Sequence, residues 1–169
     1  METSEIKARM NSGEIYYENA EILAEQAQYR DLLFQFNHTL PSKTQERQEI
    51  LQALLGSFEE GSYIEAPFSA NWGKNTYFGE HVYANSDLTL VDDTKITIGD
   101  SVMMGPNVTL CTGTHPLEAS LRQKGAQYNL PVTIEKGAWL GAGVTVLPGV
   151  TIGENSVIGA HSLVTQDIP

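Results

Sequence analysis

Cysteine is almost absent. The 169-residue chain holds one, Cys111, so no intramolecular disulfide framework is available and the composition suits a reducing cytoplasm. Basic side chains are scarce as well. Ten Lys and Arg stand against 21 Asp and Glu, a formal net charge of −11, which argues against a nucleic acid or an anionic membrane as main partner. A local cluster of donors for a small anionic ligand remains compatible with that balance. No run approaches the roughly 18 apolar residues of a membrane span, and the opening METSEIKARM lacks an apolar signal core. A soluble, cytoplasmic protein is the expectation. What is present, 41% hydrophobic residues in about one domain's length, suffices for a substantial core.

Two textures divide the chain. Up to about residue 58 it is charged, Gln-rich and helical in pattern. Residues 42–45 resemble a capping box, and Ile50, Leu51, Leu54 and Leu55 then form an apolar stripe ending at Gly56. A shorter helical stretch covers 20–33. From Ile64 onward the helical period vanishes, and valine, isoleucine, threonine and glycine dominate. No Pro/Ser-rich linker intervenes. The expected organisation is a helical cap over 1–58 on a β-rich body over 59–169, one structural domain.

The β-rich body keeps time in sixes. Ile98, Met104 and Leu110 recur at six residues, and so do Ile134, Leu140, Val146, Ile152, Ile158 and Val164. Glycine follows the lead residue at 99, 105, 141, 153 and 159. Phe78, Ala84 and Leu90 form an earlier set, displaced by two residues near Asp92 and Asp93. A fixed short period marks a solenoid whose repeats bury their faces by stacking on neighbours. Ordinary amphipathic strands alternate at two with no glycine every sixth residue. The glycines read as corners with little room for a Cβ.

The rhythm halts at Leu110 and resumes in register at Ile134. Between them, residues 113–131 read as a loop extruded from a regular coil, and long loops in compact proteins are commonly functional. His115 stands at the loop's root between the coil and Pro116, where a rigid element meets open space. On residues alone it is either a functional histidine or a loop histidine with satisfied hydrogen bonds.

Several motifs resemble those of the hexapeptide-repeat acyltransferases, specifically the galactoside, maltose and nodulation O-acetyltransferases. They are FNHT at 36–39, YANSDLTLVDD at 83–93, ITIGDSVMMGPNVTL at 96–110, THP at 114–116 and PVTIEKGAWLGAGVTVLPGVTIGENSVIGA at 131–160. The resemblance implies a left-handed parallel β-helix, homotrimers with sites between subunits, and acetyl transfer from acetyl-CoA to a sugar hydroxyl. It implies that His115 is the general base, a role an imidazole can fill near neutral pH. Asn85 and Tyr83 take acceptor-side positions with Asp93 nearby. Asn71 falls in the same region, and Glu18 or its neighbours stand in for an acidic acceptor contact. On the coenzyme side the resemblance places Trp139, Ala160 and Thr165, with backbone N–H groups near Gly141 and Ala142 for the thioester oxygen. No metal is implied.

Plainer roles stand beside these. Asn85 can be a corner residue capping its own turn, and Trp139 can cover a neighbouring subunit. Cys111 offers an acyl-cysteine route, or packs into the wall as a small hydrophobe. Asn71 and Trp72 stand where a smaller polar residue and tyrosine are usual, which leaves the acceptor open. Gln166 replaces a basic residue often seen near the coenzyme phosphates. Lys136 is the last basic side chain, so a missing basic tail beyond Pro169 is the expectation. The competing readings are an amine or serine acetyltransferase of the same fold, a non-catalytic scaffold, and a γ-carbonic-anhydrase-like metal protein. The last needs three converging histidines.

Overall fold

The computed structural model describes all residues, 1–169. Three helices come first: α1 (Thr3–Met10), α2 (Ala20–His38) and α3 (Thr44–Leu54). Helix α2 runs past the expected 20–33 because Phe36, fully buried, carries its apolar face to the end. Asn19 caps it, its side chain accepting from Ile22 N at 2.9 Å. The capping box expected over 42–45 does not form. A turn closed by Lys43 N–H on the Leu40 carbonyl makes Lys43 the N-cap of α3, and no side chain caps that end. The stripe does form, with Leu51, Leu54 and Leu55 buried against the body.

From residue 57 the chain winds through five coils of three short strands. They are β1–β3 (Ser57–Phe58, Tyr63–Ile64, Ser69–Ala70), β4–β6 (Thr76–Phe78, Tyr83–Ala84, Thr89–Val91) and β7–β9 (Ile96–Ile98, Met103–Met104, Thr109–Cys111). After an excursion come β12–β14 (Val132–Ile134, Trp139–Leu140, Thr145–Val146) and β15–β17 (Thr151–Ile152, Val157–Ile158, Leu163–Val164). Equivalent strands pair in parallel into three walls: β1-β4-β7-β12-β15, β2-β5-β8-β13-β16 and β3-β6-β9-β14-β17. The lead residues of the hexads stack inward. On the first wall Phe58, Phe78, Ile98, Ile134 and Ile152 lie in one register column. This is a parallel β-helix.

The rhythm begins earlier than the sequence suggested, at Phe58, Ile64 and Ala70. The step from third wall to first is eight residues in the first two coils, from Ala70 to Phe78 and from Leu90 to Ile98, against six within a coil. The displacement noticed near Asp92 is the second of these widened corners. Left-handed residues make the bends between first and second walls: Gly61, His81, Ser101, Gly137 and Asn155, with φ between 55° and 74°. Such bends favour Gly, and after it Asn, Asp and His. His81 and His161 both occupy corner positions of this kind. The hexad glycines do a different job, two residues earlier. A Cβ on Gly105 would lie 2.7 Å from Ala142 N, so the next coil stacks too closely for a side chain.

The excursion is more ordered than a loop. Strands β10 (Gly113–Thr114) and β11 (Tyr128–Asn129) pair antiparallel, with a single helical turn α4 (Ala119–Arg122) between them. Its return limb is stitched to the N-terminal segment by a two-way backbone pair between Tyr16 and Gln127.

Candidate active site

His115 follows β10 directly, so the hairpin carries it off the end of the third wall. Its Nδ1–H donates to the Ala126 carbonyl at 2.8 Å. A carbonyl only accepts, so the neutral ring carries its proton on Nδ1 and leaves the Nε2 lone pair free. Ala126 is fully buried, and the ring therefore leans on a fixed point.

Beneath the hairpin root lies a carboxylate pair at the widened corner. Asp93 accepts from Asn71 Nδ2 at 3.0 and 3.2 Å. Burial pushes its pKa up, while Asn71, the nearby Trp72 indole, Arg30 and His115 pull it down. A Cβ at Gly113 would sit 2.3 Å from Asp93 Oδ2, so only glycine lets the hairpin pass over that carboxylate. Asp92 is wholly buried and tied to the Trp72 backbone N–H at 2.8 Å and the Thr76 hydroxyl at 3.1 Å. Burial raises its pKa to about 7. Trp72 Nε1, buried and unpartnered, falls short of a hydrogen bond to Asp93.

The other expected residues lie along the corner between second and third walls. Asn85 follows β5 directly, and its Oδ1 accepts from Ser86 N at 2.8 Å, as a corner residue would; its Nδ2 stays free. Gly141 and Ala142 occupy the same corner two coils on, and Ala160 follows one coil later. Of the two amides expected to be available, Gly141 N–H is consumed by the Ile158 carbonyl at 2.9 Å. Ala142 and Ala160 N–H make no backbone hydrogen bond. Beside this corner the second wall presents Tyr83, Met103, Trp139 and Val157 in one exposed column. Tyr83 donates to Glu65 at 3.3 Å and stacks on Tyr63. Thr165 is exposed beyond β17, and Glu18 is exposed just before α2, near Tyr16.

One chain thus carries two groups. Asn71, Asp93 and His115 gather at the end of the third wall; Asn85, Ala142, Ala160 and Trp139 gather at its beginning. From Asn85 to Val91 the chain turns at Ser86 and Asp87 and then runs the length of β6, so the two groups stand a whole wall apart. Cys111 is half-buried, and burial with Asp93 close by raises its thiol pKa, which disfavours a thiolate. No three His, Cys, Asp or Glu side chains converge as metal ligands, and no helix is long and apolar enough to cross a membrane.

Comparison with known proteins adds a second line. Residues 9–59 match the maltose acetyltransferase hexapeptide capping motif, and residues 131–166 match the bacterial transferase hexapeptide of six repeats. A galactoside O-acetyltransferase of Lactococcus lactis is 52% identical over 95% of this chain and 79% of its own length. The chain belongs to the hexapeptide-repeat acetyltransferases. A galactoside acetyltransferase solved in complex with coenzyme A superposes with a TM-score of 0.93 at 38% identity, covering 100% of this chain and 84% of that one. A maltose O-acetyltransferase from Clostridium difficile 630 gives 0.93 at 41%, covering 97% and 88%. The left-handed parallel β-helix expected from the motifs is therefore the fold of this acetyltransferase.

Sequence reasoning passed over the residues that hold the hairpin in this acetyltransferase. Asn129, 1% exposed, donates through Nδ2 to the Met10 carbonyl at 3.0 Å, and its Oδ1 accepts from the Tyr16 hydroxyl at 3.3 Å. Asp92 was noticed only as a break in phase. That break was the usable signal: residues added to a strict repeat at a corner have to pack somewhere, and here they support the site.

Proposed function

We propose that this acyltransferase moves the acetyl group of acetyl-CoA to a hydroxyl of a sugar such as a galactoside or maltose, by direct transfer with His115 as general base. The observation that carries the reading is the Nδ1–H bond to Ala126, which puts the neutral ring's proton on Nδ1 and its lone pair on Nε2, in an exposed residue near Asp93. Nε2 takes the acceptor hydroxyl's proton as the oxygen attacks the thioester carbonyl. The Asp93 carboxylate favours the imidazolium formed. The oxyanion of the tetrahedral intermediate takes a hydrogen bond from Asn85 Nδ2 or Ala142 N–H. When the C–S bond breaks, the imidazolium returns its proton to the departing thiolate.

Acetyl-CoA fits the corner by an observation of this chain. The Ala142 and Ala160 N–H groups, without a backbone partner, lie along one edge, one coil apart (about 4.8 Å), flanked by exposed Trp139 and Met103. An extended arm with its own amides matches such a row, and the relative bearing coenzyme A supports the choice. Thr165, in the same coil as Ala160 but just beyond β17 at the far end of the third wall, would reach the coenzyme from a neighbouring copy. Asn71, Asp93, Tyr83 and Glu18 are assigned to the acceptor side.

Because the two groups sit a wall apart, a complete site requires a second copy, in a homotrimer of cyclic symmetry. Thiol release from acetyl-CoA, measured across sugars, amines and plain alcohols, tests the reading. Turnover with sugars above the no-acceptor rate is expected. Turnover confined to amines would move the assignment to an amine acetyltransferase, and none with any acceptor would leave a scaffold.

A further inference from the structure

Away from this site, the one buried cation of the molecule has no counter-charge. Arg47, in the first turn of α3, is 6% exposed. Its Nη2 is sealed from solvent without an acceptor, and it enters none of the ion pairs. The guanidinium lies over the Phe36 ring, 4.6 Å from the centroid. A cation–π contact offsets only part of the cost of burying a charge, and buried charges are as a rule paired. The acids flanking it in sequence are otherwise engaged, Glu46 with Lys43 at 2.9 Å and Glu49 with Gln45 at 2.8 Å.

Beside Arg47 is a cavity of about 120 Å³, between α2, α3 and the first coil. Phe36, Leu51, Phe58 and Ile64 form its apolar side, and Thr44 and Gln48 line it as well. The start of α3 also opens here, since Thr44 is its first residue and no side chain caps that end. The positive pole of a helix and a buried guanidinium thus border one partly apolar space. We infer that this cavity binds a small organic monocarboxylate, its carboxylate on Arg47 and the α3 terminus and its short alkyl part against Phe36, Leu51 and Phe58. An Arg–carboxylate pair supplies the missing counter-charge, and the apolar lining selects against inorganic anions such as chloride.

The test titrates acetate, propionate and butyrate into the whole protein at constant ionic strength. Melting temperature and the NMR signal of a ¹³C-labelled carboxyl are read together. The expected result is a saturable rise in melting temperature and a saturable carboxyl shift, both absent with chloride. His115→Ala must keep the response, which separates this cavity from the acetyl-transfer site. Arg47→Met must weaken it at least about tenfold, the scale of one lost charge-assisted hydrogen bond. Thr44→Val, which leaves the charge in place, must weaken it measurably, and it serves if Arg47→Met does not fold. Equal responses in wild type and Arg47→Met, no response to any carboxylate, or a crystal grown with butyrate holding only water in the cavity would each overturn the inference.

Discussion

At the scale of single residues, His115 and Cys111 make a discriminating pair. Both sit near Asp93, yet Cys111 is half-buried with a raised pKa, and His115 presents a free Nε2. His115→Ala is expected to lower turnover by at least ~10²-fold with the fold intact, the usual scale of a lost general base, as steady-state kinetics would read. Cys111→Ala is expected to stay active; an inactive but folded Cys111→Ala protein would favour an acyl-cysteine route. Asp92 makes a prediction about pH. Burial raises its folded pKa to about 7, so the folded chain keeps a proton that the unfolded chain releases near pH 4. Its contribution to stability is complete below the unfolded pKa and is lost as pH rises towards 7, with a slope of up to about 1.4 kcal/mol per pH unit. Asp92→Asn should flatten the unfolding free energy between pH 4.5 and 7. An unchanged slope would mean that Asp92 is ionised in the fold across that range.

Among the elements, the hairpin of β10 and β11 decides where His115 stands, and Asn129 decides where the hairpin stands. Asn129→Ala would strand the Met10 carbonyl and the Tyr16 hydroxyl in a buried place, at about 1–3 kcal/mol each. Denaturant unfolding should show that loss, and turnover should fall while the KM for acetyl-CoA changes little. A normal turnover would mean that His115 is positioned without this anchor. The same elements mark how far the sequence was legible. The coils were readable because each inward lead residue is large, apolar and six places from the next. His115 was readable because it stands where that period stops. The hairpin's order was hidden, since its partners Tyr16 and Met10 lie more than 100 residues away in sequence and leave no local pattern. The first coil was obscured by its eight-residue step to the second, and the cap of α3 by a turn that moved the helix start from Ser42 to Lys43.

For the whole molecule, the proposed mechanism makes assembly part of the chemistry, because a wall separates Asn85 from His115 within one chain. Light scattering at assay concentration should give three times the mass of one chain, and a monomer mass with full activity would contradict that. Trp139→Ala should weaken acetyl-CoA binding more than acceptor binding; equal losses would place Trp139 in the subunit interface instead. The most direct measurement of the central claim is complementation between two inactive proteins. His115→Ala and Asn85→Ala chains, each nearly inactive alone, are unfolded together, refolded as an equal mixture and assayed for acetyl transfer. If each site takes His115 from one chain and Asn85 from its neighbour, random mixing leaves roughly a quarter of the sites with both residues, and activity returns to that level. If both residues of a site come from one chain, no mixed assembly holds a complete site, and a mixture as inactive as its components would contradict the account.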